Sequence, residues 1–346
     1  TELARGLPNE AFTSEEFLAL ENECLFPRTW VFAGPASDIP DRGDVKPVQV
    51  AGRALFMVRT ESDDIRVFQN VCPHRGARLV VEPLKHARAL TCPYHAWTYD
   101  LTGQLKGRPH YHGPDKHDKG VNGDNDRVCL FEVRSARWLD WVFVNLDGGA
   151  AEFDDYLGPV MARYEAWNLA SFERGAYAAF DFGSNWKLSV ENFCDNYHVF
   201  KVHHDLHEMQ VAGDRFAMDP EGSHMFASYT MASDGLGLTV DPDGPRLPIA
   251  PDLPERLLRS SPFCNLFPNS TMAIFPSNVE FFTFEPISPE QCIMHVWFYF
   301  VGDAAQSDAH REGRDKVVAE WTQLNIEDSG ICHRIQQGRG CDAYDG

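Results

Sequence analysis

The first apolar pattern along the chain predicts a short N-terminal helix. Phe17, Leu20 and Cys24 recur at helical intervals. Thr13 and Glu16 have the spacing of a capping box, so we expect the helix to begin at Thr13. The segment therefore predicts a helical arm ahead of the first strands.

The pattern then changes to short β-branched runs separated by turns. Val45–Val50 and Leu55–Val58 are two of these runs, and similar segments continue to about Gly148. A polar, glycine-rich stretch, Gly107–Asn125, interrupts them and predicts a loop. This part of the chain reads as a small antiparallel β domain.

The second half mixes helical and strand patterns. We predict helices over Phe153–Trp167, Val190–Met209 and His310–Gln337, and strands over Met272–Phe275, Glu280–Phe284 and Ile293–Phe300. The region Ala212–Pro254, rich in Gly, Pro and Asp, predicts a long loop of the kind that covers binding sites.

Composition narrows the class of partner. The 346 residues carry 31 basic and 51 acidic side chains, a net charge of −20, so nucleic acid and anionic membranes are not expected partners. No apolar run approaches a membrane span and no signal peptide is recognisable, which predicts a cytoplasmic protein. No glycine-rich dinucleotide fingerprint is present, so electrons for any redox reaction must come from elsewhere.

Two of the nine cysteines stand beside histidines. Cys72-Pro-His74 and Cys92-Pro-Tyr-His95 are two mixed pairs, separated by 17 residues. Two thiolates and two imidazoles could hold zinc, but zinc fingers usually pair cysteine with cysteine and histidine with histidine along the sequence. Mixed pairs on two neighbouring loops suit a [2Fe–2S] cluster of the Rieske type.

These segments resemble the two Rieske motifs of ring-hydroxylating and related oxygenases. The resemblance lies in Cys-Pro-His-Arg-Gly at 72–76 and Cys-Pro-Tyr-His-Ala-Trp at 92–97. Neither loop has the extra cysteine found in respiratory-chain Rieske proteins, which favours the oxygenase branch. The resemblance implies that Cys72, His74, Cys92 and His95 bind the cluster.

A second group of metal-binding residue types follows. Glu191, Asp195 and His198 lie at i, i+4 and i+7, which predicts a polar helix face. His203 is five residues beyond His198, about 140° around an ideal helix, so sharing a metal requires a break near Val202. Two histidines and one carboxylate form the facial triad of non-haem Fe(II) oxygenases.

This segment is similar to the iron-binding motif of the same family. The resemblance implies that His198 and His203 bind a mononuclear Fe(II), with His204 as the competing ligand to His203. It further implies that Asp195 is the bridging aspartate, which links an iron histidine to a Rieske histidine, here His95, across a subunit boundary.

The third iron ligand is expected far along the chain. Asp328, in Ile-Glu-Asp-Ser-Gly, matches the carboxylate on the family's C-terminal helix. The neighbouring Glu327 is an alternative by composition, but it would point about 100° away on a helix.

The resemblance implies an α+β fold in two parts. A small antiparallel β Rieske domain precedes a catalytic domain whose antiparallel sheet wraps around a long helix, as in helix-grip, START-like folds. We expect an N-terminal helical arm at 1–40 packed on the catalytic domain, the Rieske domain at 41–148 and the catalytic domain at 149–346.

The same resemblance implies a terminal oxygenase component. It would be a homotrimer that receives NAD(P)H-derived electrons from a separate ferredoxin or flavin reductase and uses O₂ on a small organic molecule. A Rieske electron carrier without catalysis is the alternative of another class, although it would not need the roughly 200 residues after the cluster domain.

For the substrate, the closest branch by resemblance is the choline, betaine and carnitine oxygenases. Aromatic residues are concentrated in the predicted strands of Phe263–Val301, and some of them could hold a quaternary ammonium by cation–π attraction. Asp195 departs from carnitine oxygenases, some of which place Glu there. The leading hypothesis is monooxygenation and N-demethylation of a quaternary ammonium or betaine-like compound, and the runner-up is aromatic-ring hydroxylation. The aromatic residues in question are Phe263, Phe267, Phe275, Phe281, Phe282, Phe284, Trp297 and Tyr299.

Overall fold

The structure, a computed structural model, describes residues 6–118, 128–211, 219–232 and 246–344. Its chain divides into two compact units, one formed by Cys24–Ala151 and the other by the residues before and after that segment. Among the described residues, no helix combines the length and apolarity that a bilayer crossing needs.

The unit Cys24–Ala151 is built from antiparallel strands. Its strands are β1 (Trp30–Pro35), β2 (Val45–Val50), β3 (Arg53–Arg59), β4 (Ile65–Gln69), β5 (Leu90–Thr91), β6 (Thr98–Tyr99), β7 (Leu105–Gly107), β8 (Glu132–Trp138) and β9 (Trp141–Asn145). Six form a sheet in the order β1-β9-β8-β4-β3-β2, and β5-β6-β7 form a second, smaller sheet. The strand predictions at Val45–Val50 and Leu55–Val58 are confirmed as parts of β2 and β3.

The core of this unit contains the two motif thiols. Cys72 and Cys92 are buried in a cluster with Phe56, Phe68 and Tyr99, and each of the five side chains is at most 2% exposed. The cysteines therefore lie inside the hydrophobic core rather than at its surface.

The other unit combines helices with a large sheet. Its helices are α1 (Glu10–Thr13), α2 (Glu15–Cys24), α3 (Phe153–Tyr164), α4 (Trp186–Cys194), α5 (Val199–Val202), α6 (His204–Met209) and α7 (Arg311–Gly338). Its strands are β10 (Phe172–Asp181), β11 (Asp219–Glu221), β12 (His224–Thr230), β13 (Ser260–Leu266), β14 (Ser270–Ile274), β15 (Asn278–Ser288) and β16 (Gln291–Val301).

These seven strands form one antiparallel sheet in the order β10-β16-β15-β14-β13-β12-β11. Helix α4 packs against β13 to β16, and the 28-residue α7 packs against α4, α5 and β10. The fully buried rings of Phe282 and Phe284 on β15 contact Phe193 of α4, and Phe282 also contacts Trp321 of α7. The predicted α+β class is confirmed.

The N-terminal helices belong to the larger unit. Phe12 packs on Leu188 of α4, and the Lys187 ammonium pairs with the Glu21 carboxylate at 2.6 Å. Strand β1 instead pairs with β9 in the smaller unit. The proposed domain limits of 1–40, 41–148 and 149–346 differ from the observed division chiefly in this strand.

Two local predictions were wrong. Helix α2 is capped by Ser14, whose hydroxyl accepts the Phe17 N–H at 3.2 Å, and not by Thr13, whose hydroxyl donates to the Asn9 carbonyl. The predicted loop Ala212–Pro254 contains strands β11 and β12, because His224–Thr230 pairs along β13. Residues 212–218 and 233–245 of that loop, and 119–125 of the loop Gly107–Asn125, lie outside the described residues.

Candidate functional site

The two cysteine-histidine segments fold into loops with the same backbone pattern. The Cys72 N–H donates to the Ala77 carbonyl at 2.8 Å, and the Cys92 N–H donates to the Trp97 carbonyl at 2.8 Å. Four residues after each cysteine the backbone is left-handed, with φ +72° at Gly76 and +54° at Ala96. Two equivalent loops therefore present their side chains in equivalent ways.

The four motif side chains are brought together. The His74 and His95 rings lie 4.7 Å apart between centroids, and His74 stacks on Trp97 at 4.5 Å. The Tyr99 hydroxyl lies 3.2 Å from the Cys72 Sγ. Burial, together with the neighbouring Cys92 thiol, raises the pKa of Cys72.

This donor set fits a [2Fe–2S] cluster. Both cysteines are free, and the buried Nδ1 of His74 has no hydrogen-bond partner among the described residues. Metal binding would satisfy that nitrogen and would deprotonate the thiols despite their burial. Two thiols and two imidazoles are the ligands of a Rieske centre.

The second group lies where the helical path breaks twice. Helix α4 ends at Cys194 and Asp195 is extended, with φ −93° and ψ 105°. Helix α5 begins after His198 and ends at Val202, and His203 is non-helical, with φ −113° and ψ 78°. The predicted break near Val202 is therefore present. The prediction that Glu191, Asp195 and His198 share one helix face was wrong, because the chain leaves the helix before Asp195.

The two breaks bring two histidine nitrogens together with a carboxylate oxygen from α7. The Asp328 Oδ1 lies 2.9 Å from the His203 Nε2 and 3.5 Å from the His198 Nε2, and the two Nε2 atoms are 3.2 Å apart. Three ligands on one face of an octahedral metal, with bonds of about 2.1 Å, are separated by about 3 Å. The residues present therefore fit a mononuclear Fe(II) site.

Electrostatics support ionised Asp328 at this position. Burial alone would raise its pKa, but hydrogen bonds from His198 and His203 outweigh burial and lower the pKa to about 2. Burial likewise disfavours charge on His203, but Asp328 and Glu327 raise the pKa of that histidine. An ionised carboxylate beside two imidazoles is a ready ligand set for a divalent cation.

The two alternative iron ligands, His204 and Glu327, both lie outside the group of three donor atoms. The His204 side chain is 83% exposed beside Asp205, so it faces away from the three donors. Glu327 contacts His203 on its other nitrogen, Nδ1, at 2.8 Å. The triad His198, His203 and Asp328 is the set that the fold assembles.

Asp195 lies beside this triad. Its Oδ2 is 3.5 Å from the His198 Nδ1, and its Oδ1 accepts the Tyr197 N–H at 2.7 Å. The carboxylate side chain is 51% exposed. It is therefore in contact with an expected iron ligand and accessible from outside.

A cavity opens beside the three donors. Its empty volume is about 460 Å³, part of it open to solvent. Its lining consists of Asn192, Phe193, Asp195, Asn196, His198, Val199, His203, Leu206, Gln210, Tyr229, Phe263, Trp321, Leu324 and Asp328. No lysine or arginine is among these described lining residues.

Aromatic rings form much of the cavity wall. Tyr229 and Phe263 meet edge to face at 5.3 Å, and Phe263 lies 6.3 Å from Trp321. Of the aromatic residues singled out in the sequence, only Phe263 lines the cavity, and the others are core or surface residues. Tyr229 was missed because it lies in the predicted loop, and Trp321 because its neighbours on α7 are polar.

The smaller unit is a β domain whose two loops carry two cysteines and two histidines. The larger unit is an α+β domain whose cavity holds two histidines and an aspartate. Together these features define the class of Rieske non-haem iron oxygenases. Family models agree with this division. The Rieske [2Fe–2S] domain matches residues 29–118. The ring-hydroxylating alpha subunit catalytic domain matches residues 169–346, more than half of the chain, and the chain belongs to that family.

Among curated relatives, the large oxygenase component of salicylate 5-hydroxylase from Ralstonia sp. is 34% identical over 206 residues. That match covers 57% of this chain and about half, 48%, of the relative. The glycine betaine monooxygenase oxygenase subunit of Pseudomonas aeruginosa is 23% identical over 368 residues, covering 98% of this chain and 83% of the relative.

Solved structures establish the fold. A quaternary ammonium Rieske monooxygenase, described for carnitine oxidation by gut microbiota, superposes with a TM-score of 0.80 at 21% identity. The superposition covers 99% of this chain and 88% of that one. Naphthalene 1,2-dioxygenase from Rhodococcus sp., bound to indole, gives a TM-score of 0.76 at 23% identity, covering 97% and 83%.

Proposed function

We propose that the chain is the terminal oxygenase component of a multicomponent system. It takes electrons, originating from NAD(P)H, through a separate ferredoxin or flavin reductase in the cytoplasm, and uses O₂ to oxidise a small organic substrate. The observation that carries this proposal is the meeting of the His198 Nε2, the His203 Nε2 and the Asp328 Oδ1 at the wall of an aromatic cavity.

Each group of residues has a defined task in this proposal. Cys72, His74, Cys92 and His95 hold the cluster, and His198, His203 and Asp328 hold the iron. When bound, the cluster stores and passes single electrons and the iron activates O₂. The aromatic rings of the cavity exclude water and hold the substrate beside the three iron ligands.

Asp195 is proposed to connect the two kinds of centre across a subunit boundary. Its half-exposed carboxylate faces His198 on one side and is open on the other, and the exposed Tyr197 and Phe200 give its surroundings an apolar surface suited to a subunit contact. His95 of a second copy, which is exposed on its own loop, is the proposed partner. A homotrimer would supply this contact to every chain.

The proposed reaction is monooxygenation of an N-methyl group in a quaternary ammonium or betaine-like compound. One oxygen atom of O₂ enters a C–H bond of the methyl group, and the other leaves as water with two electrons and two protons. The resulting N-hydroxymethyl group releases formaldehyde and the demethylated amine. Tyr229, Phe263 and Trp321 provide the π faces that hold a methylated cation, and the glycine betaine relative supports this substrate class.

Aromatic-ring hydroxylation is the second candidate. The described lining offers apolar rings and no lysine or arginine to pair with a betaine carboxylate, and the salicylate 5-hydroxylase component is a relative. A neutral aromatic ring would fit the same walls.

A substrate panel separates the two candidates. The purified chain with a surrogate reductase is given choline, glycine betaine, carnitine, salicylate and naphthalene, while O₂ consumption and formaldehyde are measured together. If the proposal is correct, one methylated compound should yield nearly as much formaldehyde as the O₂ that is consumed. Coupled turnover of an aromatic compound without formaldehyde would overturn it in favour of ring hydroxylation.

A further inference from the structure

Glu327 makes a partly buried hydrogen bond to a histidine of the iron triad. Its Oε2 lies 2.8 Å from the Nδ1 of His203, which is 3% exposed. Its Oε1 accepts the Gln323 side-chain N–H at 2.8 Å, one helical turn earlier. Both carboxylate oxygens are therefore engaged, and the side chain is held in one orientation.

This contact orients the His203 ring. Glu327 accepts from Nδ1, which turns Nε2 toward the Asp328 Oδ1 at 2.9 Å. When Fe(II) is bound at Nε2, the proton of a neutral His203 stays on Nδ1, where Glu327 accepts it. Metal-binding histidines are usually oriented in this way by a partner on the other ring nitrogen.

The geometry of α7 explains how one helix reaches both nitrogens. Successive helical residues point about 100° apart, so Glu327 and Asp328 reach different edges of one ring. Glu327 contacts Nδ1 while Asp328 approaches Nε2. A single turn of α7 therefore holds the His203 ring from two sides.

The other iron histidine is supported differently. The partner of His198 is Asp195, at 3.5 Å from Nδ1, and that carboxylate is 51% exposed, compared with 30% for Glu327. We propose that Glu327 is a positioning residue that retains the iron by orienting His203, a role separate from that of Asp195. This inference rests on the proposed function, since it takes the triad to be an iron site.

The test measures Fe(II) affinity rather than turnover. Wild-type protein and the variants Glu327→Ala, Glu327→Gln and Asp315→Ala, each carrying its cluster, are stripped of mononuclear iron and dialysed against Fe(II) without oxygen. The iron of the cluster is calculated from the acid-labile sulfide and subtracted from the total bound iron. Asp315 is an exposed carboxylate on the same helix and serves as the matched control.

We expect Glu327→Ala to raise the Fe(II) dissociation constant by about 10–100-fold. Glu327→Gln should give a rise below about tenfold, because the amide oxygen can still accept the Nδ1–H. Asp315→Ala should match wild type, and cluster absorbance and thermal midpoint should be unchanged in all variants.

Two results would overturn the inference: wild-type affinity in Glu327→Ala, or equal weakening by Gln and Ala, which would remove the role of the hydrogen bond. If wild-type protein itself binds no mononuclear iron, the proposed function fails instead, so the two failures are distinguishable.

Discussion

The two metal-binding regions of the chain are built by opposite means. The four cluster donors lie within residues 72–95, on two loops whose backbones close on themselves. The three iron donors come from the ends of short helices and from a residue 125 positions away on α7. The first region is thus specified by local sequence, whereas the second depends on the packing of α7 against α4 and α5.

The comparison predicts that each centre can be removed without the other, and this is the largest effect we expect. His95→Ala removes an exposed ligand and should abolish the visible absorption, leaving roughly one iron per chain in place of about three. His198→Ala should keep the absorption and lose only the mononuclear iron. Iron, sulfide and absorbance measured on the same samples check both outcomes.

Simultaneous loss of both centres in either variant would show that the regions are one cooperative unit. Wild-type iron content of about two per chain would instead support an electron carrier.

Asp195→Ala should have the next largest effect. Because Asp195 contacts His198 from an exposed position, its removal should leave cluster absorbance and total iron unchanged. Reoxidation of the reduced cluster in the presence of O₂ and substrate should slow by about 100-fold, as followed by stopped-flow absorbance. Reoxidation at the wild-type rate would remove the proposed role of Asp195 in connecting the centres.

The smallest effect concerns Glu280, on β15 beside Trp321. Burial raises the pKa of this fully buried carboxyl to about 8, although Asn278 donates to its Oε1 at 2.7 Å. The folded state therefore keeps a proton that the unfolded chain releases near its ordinary pKa of 4.5. Stability from this group is lost as pH rises from about 4.5 to about 8 and is constant above that range.

Glu280→Gln cannot titrate and should remove this dependence. The free energy of unfolding of the variant minus that of wild type should increase between about pH 5 and pH 8, as measured by chemical denaturation. The exposed Glu290→Gln is the control. Parallel pH curves for Glu280→Gln and wild type would contradict a buried, protonated Glu280.

The cluster region was easier to predict from the sequence than the iron region. The cysteine-histidine motifs and strands β2 and β3 were predictable because turn residues and alternation are local signals. The placement of Asp195 on a helix with His198 failed, because periodicity cannot show where α4 ends. Tertiary packing decides that point, since the Asn196 side chain accepts from the Tyr229 hydroxyl of β12.

Residues that act through a distant partner were the hardest to predict. Spacing favoured His203 over His204 and Asp328 over Glu327, and the structure brings together the favoured pair. The contact between Glu327 and His203 joins positions 124 apart, which no local pattern encodes. The only signal available was the adjacency of two carboxylates on one helix.

The burial of Cys72 and Cys92 among Phe56, Phe68 and Tyr99 has a consequence for biogenesis. Metal binding that is coupled to core packing adds its free energy to that of folding, so the cluster-loaded unit should be more stable than the empty one. The exposed His95 leaves the other side of the same site open to an assembly protein.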